Sequence, residues 1–337
     1  MNSTPLLRAC WVEPFLDYSR GLGSPIHLRL KNSAGEQPRG ASDLPCPSRF
    51  VFAVIDQVLQ TDGSRCGCDI GREVGRRSGL RALAGFGRRV TSQETLRDAI
   101  RTAARLMPSI HSARTLELTC QGNRARLSSK VDESCLTPTT WEDGFVASIL
   151  IDLIRLAAGA DWRPETLSLQ SSPNGHEHCR GTLDGVPVRY GAAATSIEFP
   201  TELLNRRLVP GRSPQAPTEE AAPIPEDYVE RIRLVLEFLV RQDDADINSL
   251  AAVIGTSRRS LQRHLMRRGQ TFAQLLEQVR LNMARRMLEN PSVKLIDVGQ
   301  EIGYTDPSHF ARAFRRWTGV APNVYRRTRA NALRASR

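Results

Sequence analysis

Beyond residue 227 the apolar positions fall on a helical period. Tyr228, Ile232, Val235, Leu236 and Leu239 share one face of a helix that ends near Arg241. Residues 250–269, LAAVIGTSRRSLQRHLMRRG, then have the form of two short helices around a tight turn. Ala251 is small enough to let the helices approach, and Val253 and Ile254 supply core contacts. Gly255 suits a left-handed turn position, Ser257 can cap the second helix, and Leu261 and Leu265 face inward four residues apart. Phe272 to Leu288 reads as one long helix with Leu275, Leu276, Val279, Met283 and Met287 inward, a rigid spacer.

The pattern then repeats. In residues 298–319, VGQEIGYTDPSHFARAFRRWTG, Ile302-Gly303 follows Ile254-Gly255 at an offset of 48. His309-Phe310-Ala311-Arg312 matches Ser260-Leu261-Gln262-Arg263 at an offset of 49, so the second turn holds one extra residue. Asp306 is a good N-cap, Pro307 suits the first helical position, and Phe310, Phe314 and Trp317 form the expected buried stripe.

Upstream the periods are mixed. Phe50–Leu59, Ser92–Leu106 (with Ser92 as the expected cap) and Phe145–Ala158 read as helices. Leu116–Cys120 and Arg124–Ser128 are alternating strands bracketing Gln121-Gly122-Asn123, and Thr166–Gln170 and Val186–Tyr190 are further short strands. Helices among hairpin-linked strands predict an α+β domain over residues 1–208. Residues 209–226 carry prolines at 210, 214, 217, 223 and 225 without apolar periodicity, a Pro-rich linker. An all-α domain with two helix-turn-helix units is then expected over 227–328, followed by a basic tail over 329–337.

Charge sharpens this division. The chain of 337 residues has a net charge of +11, yet from Ile254 onward there are seventeen Lys and Arg against five Asp and Glu. The preceding residues are near neutral, so the whole excess sits on the repeated unit, the footprint of a polyanion-binding module. Double-stranded DNA is the expected partner. On the second helix of the first unit, Arg258, Arg259, Gln262, Arg263 and Arg267 occupy positions outside the apolar stripe, without one acidic residue. Arginine can donate two parallel bonds to guanine and glutamine can serve adenine in the same way. A solvated face would usually mix acids with bases.

Other chemistry is sparse. No apolar run reaches the roughly 18–20 residues of a membrane span, and the first residues do not read as a signal peptide, which makes the cytoplasm, close to the nucleoid, the expected location. Seven scattered cysteines suggest reduced thiols. Cys66-Gly67-Cys68 and His176-Glu177-His178-Cys179 lack the usual metal-ligand spacings. There is no phosphate-cradling glycine loop, no GxSxG elbow and no HExxH. Neither a catalytic residue, a cofactor nor a metal site is expected.

Residues 228–327, through LAAVIGTSRRSLQRHL, ARRML (284–288) and IDVGQEIGYTDPSHFARAFRRWTGVAPNVYR (296–326), closely resemble the AraC/XylS family of bacterial transcription regulators. The resemblance implies base-reading positions at Arg259, Gln262 and Arg263 in the first unit and at Ser308, His309 and Arg312 in the second. Ala311 offers only a methyl contact and Pro307 no N–H, so the second unit is expected to read fewer bases and to position the protein on phosphates. Residues 8–208 more loosely resemble the branch typified by the ornithine-utilisation regulator, with an arabinose-binding-like domain. The stretches concerned are Gly67–Gly71, Ser92–Leu96 with Ala99, Gly185–Gly191 and Ile197–Phe199, with Tyr190 standing where that pattern has phenylalanine.

The branch implies a small-molecule effector, homodimerisation and contact with RNA polymerase, usually for activation; no effector-binding residue is assigned. Two alternatives stay open. One is a DNA-repair methyltransferase-type enzyme fused to the same DNA-binding domain, which needs a reactive cysteine and typically a four-cysteine zinc site. The other is a non-specific architectural DNA binder, against which the base-edge donor Gln262 weighs.

Overall fold

A computed structural model describes residues 5–23, 45–61, 66–132, 139–171, 182–183, 185–208 and 227–335. The Pro-rich stretch 209–226 and His176–Cys179 lie outside them. The described residues divide into two compact units, one built from those before 209 and one from those from 227 onward.

In the first unit β1 (Leu6–Arg8) pairs antiparallel with β2 (Pro45–Pro47), and α1 (Glu13–Gly21) follows β1. Next come α2 (Ser48–Thr61), α3 (Gly67–Ser78), α4 (Ala84–Thr91) and α5 (Leu96–Ile110). The hairpin β3 (Arg114–Gln121) and β4 (Arg124–Val131) leads to α6 (Thr140–Ala158), then β5 (Leu167–Ser168), β6 (Thr182–Leu183), β7 (Val186–Arg189) and β8 (Thr195–Pro200). Six strands form one sheet in the order β3-β4-β8-β5-β7-β6, with β5 and β7 parallel and the other pairs antiparallel. The hairpin turns on Gly122 and Asn123 alone, with Gly122 at φ +60°, and Gln121 pairs with Arg124. Along β4, Ala125, Leu127, Ser129 and Val131 are buried while Arg124, Arg126 and Lys130 face out, the alternation of a half-covered sheet.

The cap of helix α5 lies three residues later than expected. Ser92 is already used by α4, where its hydroxyl donates to Arg89 O at 3.0 Å. Thr95 caps α5 instead, accepting from Asp98 N at 3.2 Å.

The tightest packing lies between α3 and α6. Gly67, Gly71 and Gly75 recur every four residues, so they share one face of α3. A Cβ on Gly71 would sit 1.9 Å from Trp141 O, and one on Gly144 would sit 2.1 Å from Cys68 O. The two backbones therefore touch, and only hydrogen fits at those positions.

A polar cluster is buried beside this seam. Ala113 N donates to His111 Nδ1 at 3.3 Å, so the neutral ring carries its proton on Nε2, which lies 3.0 Å from Glu142 Oε1. Arg114 Nη2 reaches the same oxygen at 2.9 Å, while its Nη1 donates to Ser129 Oγ at 2.9 Å. Burial lowers the His111 pKa below its ordinary value despite the adjacent carboxylate. Burial alone would raise Glu142, but the Arg114 guanidinium and His111 hold it at about 2. Next along α6, Asp143 accepts from Ser171 N (2.6 Å) and from Thr195 Oγ1. Gln170 replaces a missing strand at the end of β4: its Oε1 accepts from Val131 N at 3.0 Å and its Nε2 donates to Val131 O at 3.1 Å.

The second unit is all helical: α7 (Tyr228–Arg241), α8 (Ile247–Val253), α9 (Arg258–Arg267), α10 (Phe272–Leu288), α11 (Leu295–Glu301), α12 (Pro307–Thr318) and α13 (Pro322–Ala335). The last helix runs on through the 328/329 boundary where a tail was expected. On α10, Leu275, Val279, Met283, Ala284 and Leu288 are buried, whereas Leu276 and Met287 are half-buried.

Gly71→Ala should destabilise the first unit by about 1–3 kcal/mol through overpacking, because helix backbones cannot yield as side chains do. Gly85→Ala in α4, where the nearest atom is an arginine tip 4.0 Å from the new Cβ, should be neutral or slightly stabilising. Urea titrations followed by tryptophan fluorescence compare the two. Acid should also weaken this unit. With the His111 pKa depressed, the unfolded chain takes up the proton first, so stability falls as pH drops below about 6.5. Glu142 adds to the loss as pH falls from its ordinary 4.5 toward about 2. Nitrogen-15 spectra near pH 7 should show His111 neutral with the proton on Nε2, and a ring protonated at that pH would contradict this.

Candidate nucleic-acid interface

Each helix-turn-helix is built around a helix stop that the Ile-Gly repeat encodes. In the first, Gly255 N donates to Ala252 O (3.1 Å) and Thr256 N to Ala251 O (2.9 Å), with Gly255 at φ +70°. In the second, Gly303 N donates to Gln300 O (3.0 Å) and Tyr304 N to Gly299 O (2.9 Å), with Gly303 at φ +84°. Both are the paired-bond, left-handed termination that favours glycine. The buried Ala251 and Gly299 occupy equivalent places, and each lets its short helix approach the next. Ser257 then caps α9, accepting from Ser260 N at 3.1 Å. Asp306 caps α12 one residue later in register, accepting from Ser308 N at 2.7 Å. That delay is the extra residue in the second turn.

The buried stripe of α9 is Leu261 and Leu265, both fully buried. With 3.6 residues per turn, the opposite face carries Arg259, Arg263 and Arg267, with Gln262 on the flank beside the stripe, all exposed. Arg258 is also exposed, but it lies three residues before Leu261, which puts it on the stripe's side at the helix start. Met266 belongs to the outer face as well and is 71% exposed. Nothing about a methionine in a basic run singles it out before the helix phase is known. His264 turns away from this surface and stacks edge-on against Tyr228 of α7, ring centroids 4.4 Å apart. Arg268 meets Asp227, the α7 cap, at 3.3 Å.

On α12 the core residues are Phe310, Ala313 and Phe314, while Trp317 is only half-buried. Ser308, His309 and Arg312 are exposed. His309 Nε2 stands 3.8 Å from the Asp306 carboxylate, at the edge of the first turn. Arg315, which no expectation named, is exposed on the same outer face, three residues after Arg312 and seven after Ser308. It is the counterpart of Met266 at the offset of 49, so the second outer face is more basic than its first turn suggests.

Helix α10 joins the two helix-turn-helix motifs. Arg316 of α12 pairs with Glu277 of α10, and Arg280 of α10 lies over the Tyr304 ring, 5.2 Å from its centroid. From the first motif's side, Arg241 at the end of α7 pairs with both Glu237 (3.4 Å) and Glu301 at the end of α11. Arg286 of α10 meets Glu237 at 2.5 Å. Arg241 and Glu301 are 16% and 9% exposed, so this contact is well shielded from solvent.

The described thiols have structural surroundings. Cys66 caps α3, its sulfur accepting from Asp69 N at 3.4 Å. Cys10, Cys46 and Cys68 are buried, with the Cys46 thiol pushed up to about 12 by burial, and Cys120 is exposed on β3. Among the described residues no group of three or more His, Cys, Asp or Glu could hold a metal ion, and no helix is long and apolar enough to cross a membrane.

Comparison with known proteins agrees with both halves of this geometry. A helix-turn-helix domain family matches residues 250–328, and the arabinose-binding N-terminal domain of AraC transcription regulators matches residues 52–208. The ornithine utilization regulator of Pseudomonas aeruginosa is 26% identical over 288 residues, covering 82% of this chain and 84% of that one. The transcriptional activator NphR of a Rhodococcus species is 30% identical over 144 residues, covering 43% and 42%. Among solved structures, the transcriptional regulator CdpR of Pseudomonas aeruginosa aligns over 94% of this chain and 98% of its own, at 21% identity and a TM-score of 0.42. With one family covering most of the first unit and the other most of the second, the chain belongs to the AraC family of DNA-binding transcription regulators.

Proposed function

We propose that the chain is an effector-responsive activator in which α9 reads promoter bases, α12 mainly anchors the protein, and the first unit binds a small molecule. The observation that carries this reading is the outer face of α9. Arg259, Gln262, Arg263 and Arg267 stand exposed together on a helix without an acid, backed by Leu261 and Leu265. Arginine and glutamine at those positions present paired donors to base edges in a major groove. The outer face of α12 begins with Ser308 and continues through Ala311, Arg312 and Arg315, a mixture better suited to phosphates and one or two bases. The α10 contacts then hold two recognition helices for successive groove segments on one side of the duplex, about 34 Å apart, as a symmetric dimer would by rotation. Where the fixed separation misses that spacing, DNA bending makes up the difference.

RNA polymerase is the proposed partner for activation, a second copy of the chain the proposed dimer partner, and the cytoplasm the proposed location. The similarity to the transcriptional activator NphR supports activation, and the match of residues 52–208 to an arabinose-binding N-terminal domain supports a small-molecule effector.

Arg263→Ala should weaken operator binding by about 1–3 kcal/mol and relax discrimination at one base pair. Gel-shift titrations on operator and scrambled DNA check this; an equal loss on both would make Arg263 a phosphate contact. Arg241→Met strands Glu301 without its cation and should cost the second unit roughly 2–4 kcal/mol in thermal or urea unfolding. At a temperature where the variant stays folded, it should lose affinity for a two-segment operator and keep it for a single segment.

A further inference from the structure

A cavity of about 460 Å³ opens in the first unit along the seam of α3 and α6 and reaches β5 and β7. That size falls within the roughly 300–1,000 Å³ typical of small-molecule sites. Its apolar wall comes from Ala147, Ile151, Pro164, Leu167 and Val186. Its polar lining is Arg72, Arg76, Arg155 and Arg163 with Glu73 and Asp152. Four guanidinium groups against two carboxylates leave the lining itself net positive, with the Asp69 carboxylate just outside it, 4.0 Å from Arg72 Nε.

Both acids are engaged already. Glu73 accepts from Arg76 at 2.9–3.0 Å and from Arg77 at 2.6 Å. Asp152 Oδ2 accepts from Leu80 N at 2.8 Å. Arg155 is steadied by donating Nε to Trp162 O at 2.9 Å, which uses one donor and leaves the planar end of the guanidinium for other contacts.

A positive surplus over a low-dielectric wall attracts and concentrates anions. The guanidinium fork matches a carboxylate, and the apolar wall favours a ligand with a hydrocarbon body over a bare inorganic anion. A second cavity, of about 330 Å³, is lined by Glu13 and Asp17 with Arg77 and offers no such surplus.

We propose that the α3–α6 cavity is the effector site and that its ligand is a small organic carboxylate with an apolar body. The carboxylate sits toward Arg72, Arg155 and Arg163, and the body lies on Ile151, Leu167 and Val186. This assignment rests on the effector-responsive reading above.

The full-length protein is titrated calorimetrically with benzoate and hexanoate, with benzamide and hexanamide as uncharged counterparts, and with inorganic phosphate. The acids should bind at least roughly tenfold more tightly than the amides or phosphate. Arg163→Gln removes one charge and Ile151→Trp fills the space, and each should weaken acid binding by about tenfold or more without lowering the melting temperature. Absence of acid binding, equal binding of amides, equal binding of phosphate, or indifference to both substitutions would overturn the assignment. Operator affinity measured in the same mixtures separates the two readings. Acids that bind here and leave operator affinity unchanged uphold the site and defeat effector control. Amides that shift operator affinity, and lose that effect in Ile151→Trp, uphold effector control and defeat the carboxylate.

Discussion

The placement of two recognition helices relative to each other depends on one helix, Phe272–Leu288. The described ion pairs and ring contact that tie the two helix-turn-helix units together touch it or the helices packed on it: Arg316 with Glu277, Arg280 over Tyr304, Arg286 with Glu237, and Arg241 between Glu237 and Glu301. A pair of exposed side chains contributes little on its own, whereas a network anchored on a shielded contact holds its geometry. Here the shielded member is Arg241–Glu301, and the more exposed pairs extend from it. A homodimer sets such spacing by symmetry, but this unit sets it by covalent connection and by packing on one spacer.

The first unit is held by a different device. Gly71 and Gly144 let α3 and α6 meet backbone to backbone. Helices that close leave no room to bury long side chains between them, so polar groups at the margins must find partners of fixed geometry. His111, Arg114 and Glu142 do so within one cluster, and Asp143 and Gln170 complete the hydrogen bonding of segments that the short strands leave open. A neutral histidine beside a charged carboxylate and guanidinium is stable here because burial opposes a second positive charge near Arg114.

The DNA-binding unit was legible in the sequence because its signals are local. Ile-Gly at 254–255 and 302–303 specifies a helix stop within six residues, and Ser257 and Asp306 specify the next start. The same local reasoning misplaced the start of α5, since Ser92 serves equally as a helix end and was claimed by α4. The glycine seam gave no signal of its own. Three glycines in a polar twelve-residue stretch weaken any helix prediction, and their purpose shows only when Gly144, some seventy residues on, is brought against them. The buried cluster joins residues 111, 114, 129 and 142, and the cavity arginines run from 72 to 163, spacings with no period to detect. Met266 is an apolar residue in a basic run and Arg315 lies beyond the first turn of α12, so neither stands out until its exposure on the outer face is seen.

The unequal pairing of the two units is open to one direct measurement: hydroxyl-radical footprinting with missing-base interference on a bound promoter. Two protected clusters on one side of the duplex, centred about 10–11 base pairs apart, are expected, with base removal harming binding more strongly under one cluster than the other. Continuous protection that is insensitive to missing bases, or one isolated cluster, would contradict a two-segment reader with a dominant first helix.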